Sequence, residues 1–185
     1  MGSAAAIEHA KQLMDKAIVH LEAELLKIRT GKANPAMVDS VMVEYYGSMV
    51  PLNQIANVTT PDARTLVIQP WEKNKLQDVE RAIINSNLGL NPQNDGEMIR
   101  ISVPPLTEER RKEMVKMAKN QGEDSKVSIR NARRDANEMV KKAQKDGLPE
   151  DEAKATEAVI QNLTNDYIAK IDAHVARKEK EILTV

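Results

Sequence analysis

Cysteine and phenylalanine are absent from this 185-residue chain, and its aromatic side chains amount to one tryptophan and three tyrosines. Without cysteine there are no disulfides, thiolate zinc sites or cysteine nucleophiles, which suits a reducing cytosol. Without phenylalanine the core must be built from Leu, Ile, Val, Met and Ala, side chains that suit narrow helix–helix seams better than a wide sandwich. So few aromatics also argue against a single-strand binder that stacks bases on several rings. Charge of one sign is lacking too: 27 Lys and Arg face 28 Asp and Glu, a net charge of -1. Any nucleic-acid role must therefore come from a local patch. No apolar run approaches the ~18 residues that span a bilayer, and the first residues lack the basic segment and apolar stretch of a signal peptide. These absences lead us to expect a cytoplasmic, helix-rich protein with no membrane contact.

Three stretches carry the helical period. Ile7, Ala10, Met14, Ala17, Leu21, Leu25 and Ile28 recur at steps of three and four, predicting a first helix that ends at Thr30-Gly31. A second opens after Pro104-Pro105-Leu106-Thr107, with Thr107 placed to cap it. Its narrow stripe runs Met114, Ala118, Gln121, Ser125, Ile129, Ala132, Ala136, Met139 and Ala143. The next strong break is Asp146-Gly147-Leu148-Pro149, which makes the helix about 40 residues and roughly 60 Å long. The third helix follows Pro149 and turns Ala153, Thr156, Ile160, Leu163, Tyr167, Ile171, His174 and Ile182 inward. Such stripes joined by a tight turn predict an antiparallel three-helix bundle.

Residues 31–106 read differently. Val41 to Tyr46 has strand composition, and Gly47-Ser48 suits a two-residue II′ turn into Met49-Val50. Further strands are expected at 56–60, 65–69 and 98–103. One short helix between them would bury Leu76, Val79, Ile83 and Ile84 and stop near Asn87-Leu88-Gly89. The expected fold class is α+β: a long three-helix bundle, residues 1–30 and 107–185, with a small β/α/β domain, residues 31–106, inserted after the first helix. Arg29, Thr30 and Gly31 lead into the insert and Val103, Pro104 and Pro105 lead out. Glycine permits unusual dihedrals and proline stops both helix and ladder. The linkers at 30–31 and 103–106 are thus expected to act as a two-strand hinge.

The charge is segregated along the chain. Residues 107–145 hold 12 basic and 7 acidic side chains, a balance of +5, whereas residues 150–185 balance at -3 and residues 31–106 at -2. At 100° per residue Arg130 and Arg134 lie opposite the core residue Ala132, Lys119, Lys126 and Lys141 fall near the same line, and Arg133 sits on its flank. Guanidiniums at this density repel one another unless an anion meets them, and their planar forks match phosphate oxygens. The residues alone leave two readings open: a phosphate-binding face, or a solvated face partly neutralised by Glu123, Asp135 and Glu138.

Catalytic chemistry has no visible address. His9, His20 and His174 have no second ligand at metal spacing, so each reads as a surface or seam histidine. Gly31-Lys32 lacks the flanking residues of a phosphate loop. No G-x-S-x-G, H-E-x-x-H or G-x-G-x-x-G occurs. No enzyme, cofactor or metal is expected.

Five segments are nonetheless distinctive. They are Lys27-Ile28-Arg29-Thr30-Gly31-Lys32-Ala33-Asn34-Pro35, Val43-Glu44-Tyr45-Tyr46-Gly47, Leu88-Gly89-Leu90-Asn91-Pro92, 104–112 (PPLTEERRK) and 127–136 (VSIRNARRDA). With these, in this order, the chain resembles the bacterial ribosome recycling factor family over essentially its whole length, with Lys32 standing where many members carry Arg. The resemblance implies an L-shaped molecule that binds the large subunit of a post-termination ribosome. It implies that elongation factor G and GTP then drive the subunits apart. It also implies rRNA contacts at Arg130 and Arg133, with Arg134, Asn131, Lys126 and Arg110 alongside, and it places the hinge at residues 29–31 and 103–105. Two other readings compete: a helical adaptor that dimerises through its bundle, and an enzyme housed in residues 31–106. The apolar stripes are only wide enough to close one bundle, which favours a monomer over the adaptor.

Overall fold

The computed structural model describes residues 2–184. They form the helices α1 (Gly2–Leu26), α2 (Leu76–Asn85), α3 (Glu108–Lys145) and α4 (Glu150–Leu183). The strands are β1 (Met42–Tyr45), β2 (Ser48–Pro51), β3 (Ala56–Asp62), β4 (Thr65–Pro70), β5 (Pro92–Asn94) and β6 (Ile99–Ser102). The chain divides into two units, one comprising the residues up to Thr30 and from Glu108 onward, the other Gly31–Thr107.

In the first unit α1, α3 and α4 all pack on one another. The seam is made of small residues between a few large anchors. α1 buries Ala6, Ala10, Met14, Ala17, Leu21 and Leu25. α3 buries Met114, Ala118, Gly122, Ser125, Ile129, Ala132, Ala136 and Val140. Four expected core positions shift by one residue. Ala6 takes the place of Ile7, Gly122 that of Gln121, Val140 that of Met139, and Thr164 that of Leu163, each larger residue standing half-buried beside the seam. Size explains most of this, because the smaller side chain lets the helix axes approach. Thr164 and Thr156 can be buried because their hydroxyls donate to the carbonyls of Ile160 and Glu152, both at 2.8 Å. α1 itself stops at Leu26 rather than at Thr30. Lys27 and Ile28 close short bonds to the carbonyls of Glu24 and Leu25, and Ile28 stays buried beyond the helix end.

Gly122 marks the tightest crossing. A Cβ built there would lie 2.7 Å from Cγ2 of Val175 on α4, and a β-branched neighbour on a helix has little rotamer freedom to yield. Gly122→Leu is expected to overpack this seam by about 1–3 kcal/mol and lower the melting temperature by several degrees, with no change in helix content by circular dichroism. An unchanged melting temperature would show that the crossing is looser than its geometry.

Across the bundle the Tyr167 hydroxyl donates to the Asp15 carboxylate of α1. Burial, followed by this bond and the charge of Asp15, pushes the Tyr167 phenol up to about 12. The folded state therefore holds that proton more tightly than the unfolded chain, whose value is near 10. The stability it contributes is present below pH 10 and is lost as pH rises towards 12. Thermal melts from pH 9 to 12 should show this loss in the wild type and a flatter profile in Tyr167→Phe. Parallel profiles would remove the assignment.

The second unit holds a β1–β2 hairpin and a four-stranded antiparallel sheet in the order β3-β4-β6-β5. Its core gathers Val38, Val41, Val43, Leu52, Leu66, Ile68, Leu76, Val79, Ile83, Ile99 and Ile101. Ile84, expected inward, is instead 57% exposed, because α2 buries only the Leu76, Val79 and Ile83 line. β5 was not expected, since a three-residue strand opening on proline carries almost no strand signal. The hairpin turn also differs from expectation. Tyr45 pairs with Ser48, so the turn residues are Tyr46 and Gly47, with φ of 49° and 82°. Positive φ at both positions makes a type I′ turn rather than II′. Tyr46 is held in this rare region for a tyrosine by its hydroxyl bond to Glu72 at 3.2 Å and by the Lys75 ammonium 4.2 Å from its ring centre.

Both linkers end at the β3–β4 turn. The Ala33 N–H donates to the Ala63 carbonyl and the Val103 N–H to the Arg64 carbonyl, each at 2.7 Å. Asp62 braces that turn by accepting from the Arg64 N–H at 2.8 Å and the Thr65 hydroxyl at 3.0 Å. These bonds hold its carboxyl below the usual range.

Candidate nucleic-acid interface

α3 is a 38-residue helix, so every side chain on it is placed by one rigid frame. Arg130 and Arg134 stand exposed on its outer face, and neither pairs with a carboxylate among the described residues. Arg133 leans towards α4, where its Nη1 donates to Gln161 Oε1 at 3.4 Å. Asn131 turns the other way, into a groove against α1. These four residues form one band less than two turns long.

The remaining two expected contact residues are placed differently. Lys126 lies one turn before Arg130 but reaches across to Asp172 of α4 at 2.7 Å, with Glu123 at 3.5 Å. Its side chain is only 18% exposed, and the bond to Asp172 raises its pKa. Lys126 thus ties α3 to α4 at the edge of the band. Lys119 does the same more loosely with Glu179 at 3.8 Å. Arg110 pairs with Glu113 at 2.9 Å and stands twenty residues before Arg130, roughly 30 Å along the helix. It is a separate basic point rather than part of the cluster.

Of the three carboxylates that could neutralise this face, none pairs with Arg130 or Arg134 among the described residues. Glu123 serves Lys126, and Asp135 lines the α1–α3 groove. The arginine band therefore keeps its charge facing outward. Lys16 and His20 of α1 line the same groove. Sequence reasoning did not find them, because nothing in the period of α1 tells which of its polar flanks faces α3.

At the linkers, Gly31 adopts φ +76°, and a Cβ there would lie 3.1 Å from the Leu106 backbone nitrogen. Glycine is needed both for the dihedral and for the space. Val103 is buried, Pro104 and Pro105 are exposed, and Arg29 and Thr30 follow the end of α1. Among the described residues no cluster of three or more acidic or histidine side chains is arranged to hold a metal ion. No helix among them is long and apolar enough to cross a membrane.

Comparison with known proteins gives a consistent result. The family model for ribosome recycling factor matches residues 21–183. A ribosome-recycling factor from Amoebophilus asiaticus is 56% identical over 179 residues, 97% of this chain and 96% of that protein. One from Paracidovorax citrulli is 59% identical over 173 residues, 93% of each. Among solved structures, the solution structure of a ribosome recycling factor aligns with a TM-score of 0.82 at 38% identity, covering 100% of this chain and 99% of the other. A Thermus thermophilus factor, described with Escherichia coli elongation factor G on the E. coli post-termination complex, aligns over the whole of both chains at 48% identity, with a TM-score of 0.68.

Proposed function

The chain belongs to the ribosome recycling factor family, and from that premise we propose how it performs recycling: it binds the large subunit of a post-termination ribosome through rRNA phosphates, and elongation factor G then acts on the bound protein to part the subunits. The chain is a translation factor rather than an enzyme, as its family is. The observation that carries the proposal is the pair Arg130 and Arg134, exposed on a rigid helix with no carboxylate partner among the described residues, with Arg133 on their flank. Three guanidiniums in little more than one turn match successive phosphates of a folded RNA strand, and each forms charge-assisted, directional bonds. Because α3 is packed on both neighbours, the backbone that carries these groups is fixed before binding, and the ordering that remains is that of the arginine side chains.

Asn131 and Lys126 border this contact, and Arg110 adds a distant phosphate contact. Residues 29–31 and 103–105 form the hinge about which Gly31–Thr107 moves when elongation factor G engages. The protein acts in the cytoplasm as a monomer.

The test is light scattering of post-termination ribosomes. Splitting is expected only when the chain, elongation factor G and GTP are all present, and a chain mass of one copy is expected in solution. Splitting at full rate without the chain would sink the proposal.

A further inference from the structure

The groove between α1 and α3 lies directly beside the arginine band and differs from it in chemistry. On α3 it is lined by Asp124, Ser128, Asn131 and Asp135, and on α1 by Lys16 and His20. The α3 residues follow steps of four, three and four, so they form one polar stripe flanking the buried one. Arg130 neighbours Asn131 and Arg134 neighbours Asp135 in sequence, so each arginine of the ridge has a groove residue at its side. The side chains of Asp124, Asn131 and Asp135 make no hydrogen bond or ion pair with another described residue. The groove is half open to solvent and offers about 420 Å³, inside the range of ~300–1,000 Å³ typical of small-ligand sites.

We infer that this groove receives an unstacked rRNA base, whose amino-bearing edge is read by Asn131, Asp124 and Asp135 while Arg130 and Arg134 hold the flanking phosphates. The inference rests on the rRNA-binding reading above and adds a determinant of specificity to it.

Charge decides what can enter. Two carboxylates outweigh the single ammonium of Lys16 in the groove, so phosphate is drawn to the cationic ridge rather than into the groove. They accept hydrogen bonds from the exocyclic amino groups of adenine, cytosine or guanine, and Asn131 offers a donor and an acceptor side by side. Sequence-specific RNA recognition works largely through splayed bases read on their edges. The juxtaposition here, a cationic ridge next to an anionic and amide-lined groove, separates positioning from reading. A basic protein segment would also satisfy the two carboxylates, but it would be repelled by the arginines on the rim.

Binding of the full chain to isolated large ribosomal subunits distinguishes these cases when measured over a range of salt. Asn131→Ala is expected to weaken binding about tenfold or more with the slope of log affinity against log salt unchanged, because a base contact releases no counterions. Chemical probing of base edges should show a nucleotide protected by wild type and reactive again with Asn131→Ala, whereas Arg130→Ala should lower the salt slope by about one. Wild-type affinity and base protection in both Asn131→Ala and Asp135→Asn would overturn the inference. So would a loss of affinity in Asp135→Asn with every base protection intact, which would assign the groove to a basic protein segment. An unchanged salt slope in Arg130→Ala would instead strike the phosphate-binding reading itself.

Discussion

Alanine at Arg130 or at Arg133 is expected to weaken binding to the large ribosomal subunit by ten- to a hundred-fold each, the equivalent of about 1.5–3 kcal/mol for a charge-assisted contact. Folding should be almost untouched. Arg130 is exposed, and Arg133 gives up only its 3.4 Å bond to Gln161 on the protein surface, worth at most ~1 kcal/mol. The two substitutions lie within one turn and share a phosphate strand, so their effects should not add in full. Wild-type affinity should also fall steeply as salt rises, because each phosphate contact releases condensed counterions. If both variants bound as wild type does, in the same salt, the arginine band would be a solvated face and no more.

The second large effect is expected at the linkers. A Cβ at position 31 would stand 3.7 Å from the Leu106 Cβ, within the ~3.5–4.5 Å that a disulfide bridges. The chain has no other cysteine, so a Gly31→Cys, Leu106→Cys double variant can form only that intramolecular bond. Oxidised, it ties the two linker strands together and removes their freedom to turn independently, which is how a hinge absorbs change at few residues. We expect the oxidised protein to bind the large subunit normally through α3 and to lose subunit splitting, and reduction to restore it. Cysteine at φ +76° is strained, but the reduced protein carries the same strain and serves as the control. Full splitting by the cross-linked form would leave the linkers as connectors with no mechanical part.

Periodicity made much of this structure legible. The three long helices followed from steps of three and four, and the end of α3 from Gly147 and Pro149. What periodicity could not resolve was the choice between adjacent residues, as at Gln121 and Gly122. A pattern records polarity, whereas the seam selects for size, and Gly122 is needed because Val175 approaches from another helix. The type I′ turn escaped for a similar reason. Tyrosine in the left-handed region is unfavourable locally, and it is held there by Glu72 and Lys75, some 26 and 29 residues on. The arginine cluster was visible as a sequence, and its segregation from the acidic helix was visible in the charge count. That Lys126 would be drawn to Asp172, or that Asn131 would face a groove shared with His20, depends on how the helices are rotated against one another. No single-helix pattern contains that rotation.

The meeting of both linkers at the β3–β4 turn bears on the order in which the molecule assembles. α1 must find α3 and α4 across an intervening segment, Gly31–Thr107. Closing a flexible loop of ~77 residues is opposed by roughly 4 kcal/mol of chain entropy, against well under 1 kcal/mol for a loop of two. Once the insert has folded, Ala33 and Val103 are bonded to neighbouring carbonyls at 63 and 64, and Gly31 lies against Leu106. The long loop has then become a short one. The α3–α4 hairpin can form from local contacts, but docking of α1 gains about 3 kcal/mol if the insert is already in place. During synthesis α1 is made before α3 and α4, and its seam is complete only once both have followed. A lesion in the insert, far from any bundle contact, would therefore reach the bundle as a slower and weaker capture of α1.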